Sequence, residues 1–212
     1  MKSTRVRVIL AVAAAGVALT ACSPNQAGAA AVVSGERISS DELDRNVREY
    51  EGALTKAGVN PAQLQFPGSV TQVVLYQLVT TKKYAKVAAN KGVTATEGEV
   101  EQLIARQGGM QKLEQQLLQL AVAPSQMREF LRAQVMFNKL IVGYGGGSDE
   151  AAFNRGKEQA DKDAAAVKVD WNPRYGQLNT APSEKEPGLF VAGDRFSTQV
   201  KAPAAPAPPP QQ

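Results

Sequence analysis

The chain has 212 residues, 43% of them hydrophobic, with 24 basic and 20 acidic side chains and a formal net charge of +4. Lys2, Arg5 and Arg7 supply most of that excess, so the remainder is close to neutral and gives no reason to expect nucleic acid or another polyanion as partner. Histidine is absent and Cys22 is the one cysteine, which excludes imidazole-based catalysis, His-based and cysteine-rich metal sites, and a disulfide within the chain; no cofactor is indicated.

Taken in chain order, the first element is a leader. After the basic start, Val8 to Ala21 is an almost unbroken apolar run, about 21 Å long as a helix against the roughly 20 residues a membrane span needs. Basic flank and short length predict a signal peptide over residues 1–21. The run closes on Leu19-Thr20-Ala21-Cys22, which resembles the lipobox of bacterial lipoproteins. The resemblance implies cleavage before Cys22 and a diacylglyceryl group on its thiol, the one strong soft nucleophile present. A lipidated tether over 22–30 follows, holding the protein to membrane lipid at the outer face of the cell membrane.

A domain is expected over 31–180. Ala31 to Gly35 reads as a short strand and turn, with Ile38 an isolated apolar residue ahead of a helix. Ser39-x-x-Glu42 is a capping-box pattern, and Leu43, Val47, Tyr50 and Leu54 recur at helical spacing until Gly58. Ser69 to Asn90 is the second helix. Thr96-x-x-Glu99 caps a third over Glu97–Gln107, Gly108-Gly109 breaks it, and Met110–Leu120 is a shorter helix carrying Leu113, Leu117 and Leu120. Ser125 is a cap donor for a long helix to Val142, which Gly143 to Gly147 ends. The polar run from Ser148 to Ala166 has only Ala152, Phe153, Ala160 and Ala164 to offer a surface, which predicts a solvent-facing or weakly packed helix. Val167 to Trp171 alternates with period two and reads as a closing strand. Residues 181–200 read as irregular, and the Pro/Ala-rich 201–212 as a disordered, partly extended tail. The expected fold is mainly α, about five helices with a small two-stranded sheet pairing Val32-Val33 with 167–171.

The segment from Ala31 to Leu43, the helices from Thr96 to Ile141 and the run Val169-Asp170-Trp171-Asn172-Pro173-Arg174-Tyr175-Gly176 together resemble the SurA-type N-terminal chaperone domain, in a variant seen in actinobacterial lipoproteins. The resemblance spans about 31–178. It implies a non-enzymatic, extracytoplasmic holdase whose partners are unfolded or partly folded secreted polypeptides. Many relatives also carry a parvulin-type prolyl isomerase domain of about 90 residues. Here only 143–166 separates the long helix from the closing strand, and histidines are lacking, so no catalytic residue is assigned. A structural lipoprotein docking one fixed envelope partner, and a residual prolyl-isomerase foldase, are the alternatives; oligomeric state is left open.

Candidate site residues are few. Asn172, Pro173, Arg174, Tyr175 and Gly176 read either as a binding site, with the Arg174 fork beside a flat Tyr175 ring, or as a structural turn. Lys82, Lys83 and Lys86 read as a steering patch or a solvated helix face. Met110, Met127 and Met136 read as an adaptable binding surface or as core. Asp41, Glu42 and Asp44 suit a helix N-terminus, and Glu97, Glu99 and Glu101 show no clear acid–base partner.

Overall fold

A computed structural model describes residues 28–147, 149–184 and 186–191. The expected leader, Cys22 and the Pro/Ala-rich 201–212 lie outside the described residues.

Strand β1 (Ala29–Val33) is the centre of a three-stranded antiparallel sheet in the order β2-β1-β3, where β2 is Glu36–Ser39 and β3 is Val169–Trp171. The pairing of the domain's two ends is present: Ala31 faces Trp171, Val32 faces Asp170, and Val33 faces Val169. Three features differ from expectation. Ala29 and Ala30, assigned to the tether, are buried strand residues. The sheet has a third strand, because Ser34 (φ 46°) and Gly35 (φ 87°) form a two-residue turn with both φ positive, the turn whose twist matches a hairpin. Ile38, read as isolated, is therefore a β2 residue, wholly buried opposite Ala31. Within the stretch expected to be irregular, β5 (Phe190–Val191) pairs with β4 (Gln177–Leu178).

Six α-helices occupy the described residues: α1 (Ser40–Lys56), α2 (Val70–Asn90), α3 (Glu97–Arg106), α4 (Met110–Gln119), α5 (Met127–Gly145) and α6 (Glu150–Ala166). Four of the six starts are set by side chains. Ser39 accepts from Glu42 N, and reciprocal capping boxes join Ser69 with Gln72 and Thr96 with Glu99. Ser125 departs from its expected role: its N–H and hydroxyl donate to the Glu49 carboxylate at 2.7 and 2.6 Å, pinning the 124–126 turn to α1, and α5 begins without a side-chain cap.

The main core gathers Leu43, Tyr50 and Leu54 of α1, Val74, Leu75 and Val79 of α2, Val100 of α3, Leu113 and Leu117 of α4, and the sheet. A second cluster lies where α2, α5 and α6 meet, with Phe137 stacked on Tyr84 at 3.9 Å between ring centres. Helix α6 overturns the expectation of weak packing. Gly156, Ala160, Ala164 and Ala152 are buried against α5, and a Cβ placed on Gly156 would collide with the Ile141 carbonyl, as one on Gly145 would with that of Ala152. Two helices without side chains at the seam approach backbone to backbone, so small residues give a larger contact than their hydrophobicity suggests. Phe153, counted as an apolar contact, is instead exposed. Tyr144 adds a hydrogen bond to Asp163, which Lys91 approaches at 3.4 Å.

The acidic start of α3 also has partners that sequence spacing hid. Glu97 pairs with Arg128 at 2.9 Å and with Arg132, Glu101 with Arg128 at 2.7 Å, and Glu99 with Lys139 at 2.7 Å, all across to α5. No helix among the described residues is long and apolar enough to cross a membrane.

Candidate functional site

Helices α1 and α4 do not close on each other along their whole length. The inward face of α1 carries the large residues Leu43, Tyr50 and Leu54, whereas the face turned toward α4 carries Gly52, Ala53 and Ala57. Three small residues in six positions leave the space on that side of α1 unfilled. The result is an open groove of about 660 Å³, continued past Leu54 and Val59 to Leu64 by a further 230 Å³. Ala57, Gln115 and Leu118 line both parts, so the two are one channel.

Its floor is rigid. The Tyr50 hydroxyl donates to the Leu118 carbonyl at 2.6 Å, locking α1 to the end of α4 beneath the groove, and burial pushes the Tyr50 pKa up to about 12. Met127 and Pro124 close one wall, held by the Glu49–Ser125 bonds. The rim is polar and balanced, Arg48 and Lys56 against Glu49 and Glu114.

Along α4 the rim is a row of Gln111, Gln115 and Gln119. Spaced four apart, they lie on one face with about 6 Å between successive amides. All three are exposed, and among the described residues none of their side chains has a hydrogen-bond partner. An amide offers both a donor and an acceptor, so such a row can bond a backbone without regard to its side chains. Apolar floor, neutral rim and free amides suit an extended polypeptide better than a small charged metabolite. Among the described residues no group of His, Cys, Asp or Glu is arranged to hold a metal ion.

The residues singled out by sequence are placed elsewhere or reassigned. Asn172 Nδ2 donates to the Ala29 carbonyl at 2.6 Å, its Oδ1 accepts from Arg174 N at 3.0 Å, and its own N–H bonds the Ala30 carbonyl. Gln72 Nε2 donates to the Tyr175 carbonyl at 2.9 Å, and the Tyr175 hydroxyl reaches Ser40 Oγ at 3.4 Å. Gly176 (φ 96°) passes against the Val191 carbonyl where a Cβ would clash. These contacts bind the turn to β1, α1, α2 and β5. Pro173 lines a recess of about 160 Å³ beside β1 and β3, too small for a chain. The Arg174 guanidinium is exposed and has no hydrogen-bond or ion-pair partner among the described residues.

Lys82, read as part of a patch, is only 15% exposed and pairs with Glu36 at 2.5 Å. Burial alone would lower its pKa, but Glu36, with Glu129 and Glu42 nearby, outweighs it and the net direction is up. Lys83 is half-buried, and burial of its ammonium lowers its pKa. Of the three methionines, Met127 reaches the groove while Met110 packs on the core. The row of glutamines went unnoticed in the sequence although its spacing was visible there.

Neither a curated protein nor a solved structure matches the chain. The family described as "SurA-like N-terminal domain" matches residues 1–141, ending near the C-terminus of α5, which takes in both walls of the groove and leaves out α6, β3 and the Asn172 turn. On that match, which covers well over half of the sequence, the chain belongs to the SurA-like N-terminal domain family.

Proposed function

We propose that this protein is a lipid-anchored, extracytoplasmic holdase that receives extended or partly folded secreted polypeptides in the α1–α4 groove and has no isomerase activity of its own. The observation that carries the reading is the groove itself: an apolar floor kept open by Gly52, Ala53 and Ala57, rimmed by balanced charge and free amides. Membership of the family supports a folding role. The anchor is a proposal from Leu19-Thr20-Ala21-Cys22, as is the actinobacterial lipoprotein type. Tethering raises the local concentration of binder near emerging chains, so modest affinity for each is enough. The Asn172–Gly176 turn is read as a structural lock, with Arg174 free of it.

A photocrosslinker at Gln115, carried by the protein in its own envelope, tests this directly. Many unrelated polypeptides should be captured, in extended regions. A single stoichiometric partner would replace the holdase by a docking lipoprotein. Cys22→Ser should leave an uncleaved or mislocalised precursor in membrane fractionation and mass measurement; normal maturation with full membrane retention would remove the anchor.

A further inference from the structure

We propose that the resident occupant of the α1–α4 groove is the chain's own Pro/Ala segment, residues 201–212, laid extended along α4 with its carbonyls on Gln111, Gln115 and Gln119. The proposal rests on reading the groove as a peptide site and names one tenant for it.

The first argument is position. The last described residue, Val191, lies in the β4–β5 ladder, and that ladder is fastened beside the groove's end: Leu189 N donates to the Pro67 carbonyl at 2.5 Å. Pro67 follows Leu64, which lines the groove, by three residues, about 10 Å of chain at most. At least 21 residues follow Val191. The nine from 192 to 200 span up to roughly 30 Å, so the segment beyond them can reach the whole of α4, itself about 15 Å long.

The second argument is chemical fit. The segment Ala202-Pro203-Ala204-Ala205-Pro206-Ala207-Pro208-Pro209-Pro210 carries five prolines and no charge. Proline has no N–H, so such a chain offers a row of carbonyl acceptors that no strand ladder can serve. It needs side-chain donors, and the free glutamine amides supply them. A polyproline II chain turns once in three residues, so the carbonyls facing α4 recur every ~9.3 Å, within the ~12 Å that the three glutamines span. Alanine and proline side chains are small enough for a floor of Ala53, Ala57 and Leu118. Because five of its residues are prolines, whose φ is fixed by the ring, such a segment has little chain entropy to lose on docking.

The consequence is a groove that clients must share with a tethered competitor. A flexible tether gives an effective concentration near ~1 mM, so a segment with a Kd of about 0.1–1 mM would weaken client binding about two- to tenfold.

The side-chain amide resonances of Gln111, Gln115 and Gln119 in the full chain, and in a chain truncated after Val200, decide the matter. We expect them to move on truncation and to return when the synthetic 201–212 peptide is added, and those of Gln111 and Gln119 to move likewise in the full chain bearing Gln115→Glu, whose carboxylate cannot donate. Unchanged resonances in the truncated chain would overturn the proposal. A fluorescent, proline-free, Leu/Ala-rich peptide is titrated in parallel. Its binding to the truncated chain two- to tenfold more tightly than to the full chain is the expected result. Equal binding to both chains would overturn the tail as occupant and leave the holdase reading intact. Failure to bind either, with the amides still moving on truncation, would sustain the tail and defeat the holdase.

Discussion

Asn172 and Arg174 are two positions apart in one turn, and their side chains answer to different masters. The Asn172 amide bridges the Ala29 carbonyl and the Arg174 N–H, so it holds the sheet's first strand to the exit of its last. Asn172→Ala leaves a part-buried carbonyl without a donor and should cost about 2 kcal/mol in urea unfolding. Arg174→Ala removes an exposed group with no partner among the described residues, and should stay within about 0.5 kcal/mol of the parent. Equal losses would mean that Arg174 has a structural contact after all. Motif reading finds a turn of this kind readily, but it cannot say which member carries the bonds, because the partners sit more than a hundred positions away.

At the scale of elements, the helices and the pairing of the domain's ends were legible, since caps and periodicity are local and two lone strands need each other. Strand β2 was missed because four residues with one buried side chain show no alternation; the Ser34-Gly35 turn was the available signal. Helix α6 was misjudged because a stripe of Gly and Ala reads as weak hydrophobicity, whereas its contact comes from close approach. Gly156→Val would push the Ile141 carbonyl away and should cost about 3 kcal/mol. Gly52→Ala is the control: this glycine also lies inside a helix, but a Cβ there meets nothing within 4 Å, so the change should stabilise by about 0.5–1 kcal/mol. Urea midpoints of the pair check both signs. The groove could not be read from either wall, because it exists only once α1 and α4 are known to be neighbours.

Across the whole molecule, two long-range ties dominate. Deleting Ala29–Val33 removes the sheet's centre and two buried valines, and should cost about 4 kcal/mol or more, a large part of the ~5–15 kcal/mol that holds a domain. Trimming 201–212 should cost no more than about 1 kcal/mol, even with the segment docked. The second tie is electrostatic. The Lys139 bond, with help from Thr96, pulls the Glu99 carboxyl from 4.5 to about 2. A lowered folded pKa stabilises above the ordinary value, and that contribution is lost as pH falls from about 4.5 through about 2. Lys139→Gln should therefore flatten the acid side of the stability profile, most visibly at low salt because the pair is exposed. Urea midpoints at pH 6, 4 and 2.5 measure it.

The central strand is made first and completed last. Asn172 closes on Ala29 across 143 positions, so at ordinary synthesis rates roughly 10–30 s pass between the appearance of β1 and that of its second neighbour. During that interval an apolar strand has an open edge, the state most inviting to another chain's strand. The tight hairpin with β2 can form at once, since only Ser34 and Gly35 intervene, and it covers one side with Glu36 and Arg37 facing outward. The other side must wait. A protein read as guarding unfinished chains thus passes through its own birth as one, half-protected by a two-residue turn.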